Sequence, residues 1–175
     1  MEKALQNDMK TGDMLAWQGR NPWGYIIRTV TESPVNHCSI VRTEKTGQIW
    51  NYESELLQGV HGQPLQQDLD GYHGRVWLYR LKKEFAFIRD DIELFMLSKC
   101  GAKTRTPYDY FSLIGQLWGQ VTCDPDAFFC SEYVFWVTRA AMEKNGMDVD
   151  FDHAPNPGEL TRFDWYLPPV LIYSA

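Results

Sequence analysis

The stretch from Phe129 to Gly146 constrains this chain most. Cys130, Val134, Val137 and Ala141 fall at i, i+4, i+7 and i+11, which places them on one face of a helix. Phe129, Tyr133, Trp136 and Ala140 widen that stripe, whereas Ser131, Glu132, Thr138, Arg139 and Glu143 are expected to point elsewhere. Glu132 in the first turn and Lys144 in the last suit the helix macrodipole, and Gly146 suits a C-terminal stop. A stripe this broad predicts a buried helix with Cys130 in its first turn. There, unpaired backbone N–H groups and the positive dipole end favour an anionic sulfur. A free cysteine on an apolar stripe also serves simply as a small buried hydrophobe. What separates the two readings lies upstream.

Val35-Asn36-His37-Cys38-Ser39-Ile40-Val41 is rich in strand formers and is followed by a turn through Thr43–Gly47. Ile49-Trp50-Asn51-Tyr52-Glu53 then reads as a second strand, so the segment predicts a hairpin. Strand side chains alternate faces, so His37, Ser39 and Val41 share one face while Asn51 and Glu53 share one on the partner. A register centred on Lys45 sets His37 directly opposite Glu53, with Asn51 on the diagonal. Cross-strand partners of this kind are within side-chain reach. A carboxylate facing an imidazole fixes its tautomer and supports its protonated form. An ordinary surface pair is the competing reading of this segment.

The remaining chain alternates short elements. Thr11–Trp17 reads as a strand, Gly19, Asn21, Pro22 and Gly24 as a loop, and Tyr25–Val30 as a short helix. Residues 57 to 73 read as a loop carrying His61 and His73 in solvent, neither at a metal-ligand spacing. Arg75–Leu81 is a third strand candidate. Residues 84 to 100 are apolar at helical spacing, with Cys100 in the core, and Pro107 opens a further helix running to about Gly119. A loop from Gln120 to Asp126, with Asp126 as a cap candidate, leads into the Cys130 helix. An acidic, proline-rich stretch then carries His153 in solvent, followed by a helical turn at Pro157–Thr161 and a closing strand at Val170–Tyr173.

Composition narrows the function. The 175 residues, 44% apolar with seven Trp, nine Tyr and nine Phe, predict one compact domain spanning residues 1–175. A net charge of −6 and the lack of a Lys/Arg cluster exclude a nucleic-acid binder. Four scattered cysteines with no C-x-x-C pair suggest neither a disulfide framework nor zinc. No cofactor or metal is therefore expected. The first eight residues have no apolar core of a secretory signal, and no window reaches the length of a transmembrane span. A cytoplasmic location with free thiols is expected.

Several short motifs follow one another in a specific order. They are Gly12-Asp13-Met14-Leu15, His37-Cys38-Ser39-Ile40-Val41, Tyr52-Glu53-Ser54, Gly59-Val60, Pro107-Tyr108-Asp109, Cys130-Ser131-Glu132-Tyr133-Val134 and Pro157-Gly158-Glu159-Leu160. Together, over about residues 11 to 173, they resemble the circularly permuted branch of the NlpC superfamily of papain-like thiol hydrolases, the YiiX/YaeF-like group. In that branch the histidine strand precedes the cysteine helix, as here. The resemblance implies an α+β, papain-like fold in which an antiparallel sheet packs against the helix that starts at the nucleophilic cysteine. By position it makes Cys130 the nucleophile, His37 the base and Glu53 the third polar residue. Asn51 and Tyr108 are supporting candidates, and for Tyr108 packing is favoured over contact with the reacting carbonyl. Cys38 stands where relatives often have a small or aliphatic residue, and its side chain should point away from His37. Many relatives carry export signals, which this sequence does not show. A cellular and a phage-encoded origin both remain open.

The implied activity is cleavage of an amide or peptide bond through a thioester, with a peptide, amide or lipid ester as substrate. A lipid acyltransferase or acylhydrolase on the same three residues is the second reading. A non-catalytic binding module that keeps the fold is the third, although such a module has no need of all three residues.

Overall fold

A computed structural model describes residues 8–20, 22–55, 58–100 and 129–175. The helix expected from Pro107, the loop to Asp126, and with them Tyr108 and Cys123, lie outside those residues.

Six strands form one sheet: β1 (Met14–Gly19), β2 (His37–Thr43), β3 (Ile49–Glu55), β4 (Gly59–Pro64), β5 (Gly74–Tyr79) and β6 (Val170–Ser174). Their spatial order is β4-β3-β2-β1-β5-β6, and every neighbouring pair is antiparallel. Helices α1 (Pro22–Val30), α2 (Leu65–Leu69), α3 (Arg89–Ser98), α4 (Cys130–Lys144) and α5 (Pro157–Leu160) accompany them, with a 3-10 segment over Lys83–Ile88 leading into α3. This is an α+β arrangement.

Strand alternation divides the apolar residues between two cores. Met14, Cys38, Ile40 and Tyr52 pack with Ile92 and Met96 of α3 and Tyr133, Val134, Val137 and Ala141 of α4. Leu15, Trp17, Val41, Val76 and Leu78 pack with Leu65 and Leu69 of α2 on the other side. The stripe of α4 is thus buried as its spacing predicts. Its expected polar face is exposed only in part: Arg139 and Glu143 reach solvent, but Ser131, Glu132 and Thr138 are buried. Each is satisfied locally. Ser131 donates to the Pro155 carbonyl at 2.6 Å, Thr138 to the Val134 carbonyl at 2.9 Å, and Glu132 accepts from the Phe129 N–H at 3.4 Å. The far end of α4 is tied to α3, where Asp91 accepts from both Lys144 and Asn145. Gly146 takes the positive φ of 77° expected of the helix stop.

The hairpin forms as expected, with its register moved. Ile40 pairs with Tyr52 and Val41 with Asn51, which centres the turn on Thr46 rather than Lys45. The cause is Gly47, at φ 84°, closing a three-residue loop that only a positive φ completes. Glu44 and Gln48 flank that loop, with the Glu44 N–H donating to the Gln48 carbonyl. A shift of one residue in the centre moves each partner by two, so side chains keep their faces. Residues 57 to 73 are also not simply a loop: β4 and α2 occupy them.

Candidate active site

His37 opens β2 and Cys130 opens α4, and the two meet at this end of the sheet. The Cys130 thiol lies close enough to the imidazole to act on its charge. On the ring's other side, His37 Nε2 lies 2.5 Å from Glu53 Oε2. Because of the shifted register, Glu53 reaches His37 on the diagonal instead of directly across. The Glu53 side chain is 5% exposed and that of His37 21%. Cys130 is 6% exposed.

The electrostatics follow from this crowding. Burial works against a charged imidazole, but the charge and hydrogen bond of Cys130, and then those of Glu53, outweigh it and lift His37 well above its ordinary value. Burial likewise works against a charged Glu53. The hydrogen bond and charge of His37, with smaller help from His61 and Asn51, outweigh it and hold the carboxyl below its ordinary value. With Nε2 committed to Glu53, Nδ1 is the ring nitrogen left for another partner.

Cys38 points into the α4-side core, away from its neighbour His37, and its thiol faces the Pro157 carbonyl at 3.7 Å. Burial, reinforced by the nearby Cys130, pushes it well up. Cys100 is half-buried, and burial raises it to about 11.

Asn51 is fully buried, but its amide donates to Asp68 Oδ2 at 2.8 Å. Gln63 donates to the other oxygen of the same carboxyl. Burial and the charge of Glu53 raise Asp68 to about 7. Three neighbours of this network carried no sequence signal. Trp17 pairs with His37 across β1–β2 and donates its indole N–H to Ser39 at 2.7 Å. Asp68 arrives on α2. His61, expected in solvent, is 11% exposed and directly opposite Glu53 on β4. His153 is partly exposed as expected, beside Asp152 and Glu159.

No family profile and no curated protein sequence matches the chain. A solved structure does match: the metalloprotein YiiX from Escherichia coli O157:H7. It superposes with a TM-score of 0.66 over 95% of this chain and 97% of that one, at 16% identity. The two share a fold. Among the described residues no helix is long and apolar enough to cross a membrane.

Proposed function

We propose that this protein is a cysteine hydrolase of the permuted NlpC type, cleaving an amide or peptide bond through a thioester. The observation that carries this reading is the His37–Glu53 hydrogen bond beside Cys130 at the start of a buried helix. Likeness to YiiX across nearly the whole chain supports the fold on which that order of residues depends.

Cys130 Sγ, its proton taken by His37, attacks the acyl carbon. The imidazolium then gives its proton to the departing amine as the C–N bond breaks. Water, deprotonated by His37, attacks the thioester and frees the acid and the thiol. Glu53 holds the imidazole in place and stabilises its charged form. N–H groups of the first turn of α4, without partners inside the helix, would receive the developing oxyanion. An alcohol or amine in place of water would give acyl transfer on the same residues.

Intact-protein mass spectrometry after incubation with peptide and lipid-ester libraries tests the proposal. A trapped acyl group on Cys130, absent in Cys130→Ala, is expected, and its mass identifies the acyl class. Limiting iodoacetamide should also label Cys130 ahead of Cys100, although Cys100 is the more exposed thiol. Labelling of Cys100 with Cys130 untouched, and no acyl adduct, overturns the reading.

A further inference from the structure

Strands β3 and β4 bring two carboxylates and an imidazole together beside the triad. Glu53 and Glu55 are two apart on β3 and so share a face, and Glu53 pairs with His61 across the ladder. His61 Nε2 lies 3.8 Å from Glu53 Oε1 and 3.8 Å from Glu55 Oε2. One ligand atom from each of the three side chains lies within 4.8 Å of the others.

The hydrogen-bonding arithmetic around His61 is incomplete. Its Nδ1 is 3.0 Å from the Gly59 carbonyl, which can only accept, so Nδ1 carries a hydrogen. Nε2 in the neutral ring is then a bare lone pair facing two oxygens that also offer only lone pairs. That nitrogen is closed to solvent and has no hydrogen-bond partner. A proton on Nε2 does not complete the arrangement, because 3.8 Å is beyond hydrogen-bond range for either carboxylate. A protonated His61 would make only two long ion pairs of 3.8 Å here, whereas a metal ion would engage all three atoms directly.

We propose that Glu53, Glu55 and His61 bind a divalent transition-metal ion. One imidazole nitrogen and two carboxylate oxygens, with no sulfur, suit Zn²⁺ or Mn²⁺. Ligands about 2.1 Å from a tetrahedral centre stand about 3.4 Å apart, so each His61–carboxylate pair at 3.8 Å must draw in by a few tenths of an ångström, and the two carboxylate oxygens, within 4.8 Å of each other, by up to about 1.4 Å. Glu55, with its side chain 41% exposed and its Oε2 held only by an exposed hydrogen bond from Gln58 at 3.0 Å, has the freedom to make the larger movement. The Gly59 carbonyl fixes the His61 tautomer with Nε2 outward, as outer-shell partners of metal-bound histidines do. Glu53 would hold the ion through Oε1 and His37 through Oε2, joining the two sites by one carboxylate.

Isothermal titration of chelator-treated protein with ZnCl₂ and with MnCl₂ tests the site. One equivalent should bind, and Glu55→Gln and His61→Ala should each weaken binding more than about tenfold. Glu55→Gln alters a half-exposed side chain outside the triad, so it keeps the test decisive should His61→Ala fail to fold. Cys130→Ala and His153→Ala should bind as the parent does, and X-ray absorption of the zinc form should show nitrogen and oxygen ligands only. No binding, binding indifferent to Glu55→Gln, or sulfur in the coordination shell overturns the proposal. Binding is read without any turnover, so an inactive hydrolase that binds zinc and an active one that does not are separable results.

Discussion

His37 has an anion-forming neighbour on each side, and its titration should report both. An NMR pH titration is expected to place the imidazole midpoint well above 6.5. Glu53→Gln and Cys130→Ala should each lower it, because each removes a neighbour that favours the charged ring. If neither does, the three side chains are not coupled. The sign for stability follows from the raised value: the stabilisation by His37 is complete below its unfolded midpoint and is lost as pH rises through the folded one. Glu53, held low, behaves oppositely: its stabilisation is present above the unfolded carboxyl value and disappears as pH falls through the folded one. Glu53→Gln should also lower turnover about 10²-fold or more with the fold intact, as expected for losing the group that orients a catalytic base. Asn51→Ala should act mainly on stability, because Asn51 holds Asp68 and not His37. Turnover and melting curves of both variants on one substrate distinguish these roles. A fully active Glu53→Gln protein beside an inactive, folded Asn51→Ala protein would exchange the two assignments.

Elements here are held as much by their neighbours as by their own sequence. Asp13 at the start of β1 is 1% exposed and accepts from the Lys10 and Leu81 N–H groups and from Arg89 at 3.0 Å. This joins β1, the end of β5 and α3. Arg89→Ala leaves that carboxylate buried and unpaired, and should cost about 3–5 kcal/mol in a urea unfolding experiment. Gly74→Ala is a second case: a Cβ there would sit 2.1 Å from the Gln18 carbonyl of the paired strand β1, a backbone atom that cannot move aside cheaply. A loss of about 1–3 kcal/mol is expected, and an unchanged melting temperature would show that the strands separate more easily than their pairing suggests. The same dependence on neighbours explains what the chain alone reveals. Helix α4 and strands β2, β3 and β5 were legible because their apolar spacing is their own. Strand β4 was not: Gly59-Val60-His61-Gly62-Gln63-Pro64 has two glycines, a proline and little β-propensity. It is a strand because β3 supplies its partners, so His61 looked solvated when read without them. The hairpin register was legible in principle, since Gly47 at the third loop position marks the centre, but apolar alternation alone is unchanged by a two-residue shift of partner. His37 and Glu53 therefore emerged on matching faces from a register that was not the right one.

Over the whole molecule, the buried titrating groups bias stability toward mildly acidic pH. Asp13, Asp68 and His37 all bind protons more tightly in the folded chain than in the unfolded one. For Asp13 and Asp68 the first cause is burial. For His37 burial, the largest cause, acts the other way, and Cys130 and Glu53 together outweigh it. A folded state that holds more protons loses stability as pH rises, with a slope of at most about 1.4 kcal/mol per pH unit for each group while it titrates. For Asp68, raised from 3.8 to about 7, that interval runs from about pH 4 to about pH 7. Its side chain is only partly buried, so solvent screening reduces the effect to about half the limiting slope. Glu53, Asp91 and Asp152 are held below their ordinary values and act the other way, favouring the folded state as pH rises out of the strongly acidic range. The stability maximum should therefore fall near pH 4–5, where Glu53, Asp91 and Asp152 are ionised and Asp68 and His37 still hold their protons. Urea unfolding from pH 4.5 to 8 should show a steady decline, and Asp68→Asn should flatten it. The amide keeps the size of the neutral carboxyl and can still accept from Asn51 or Gln63, so the variant should gain stability at pH 8 relative to the parent. A parent whose stability rises from pH 4.5 to 8, or an Asp68→Asn variant with the parent's slope, would show that Glu53 and Asp68 share their charge through a different protonation pattern.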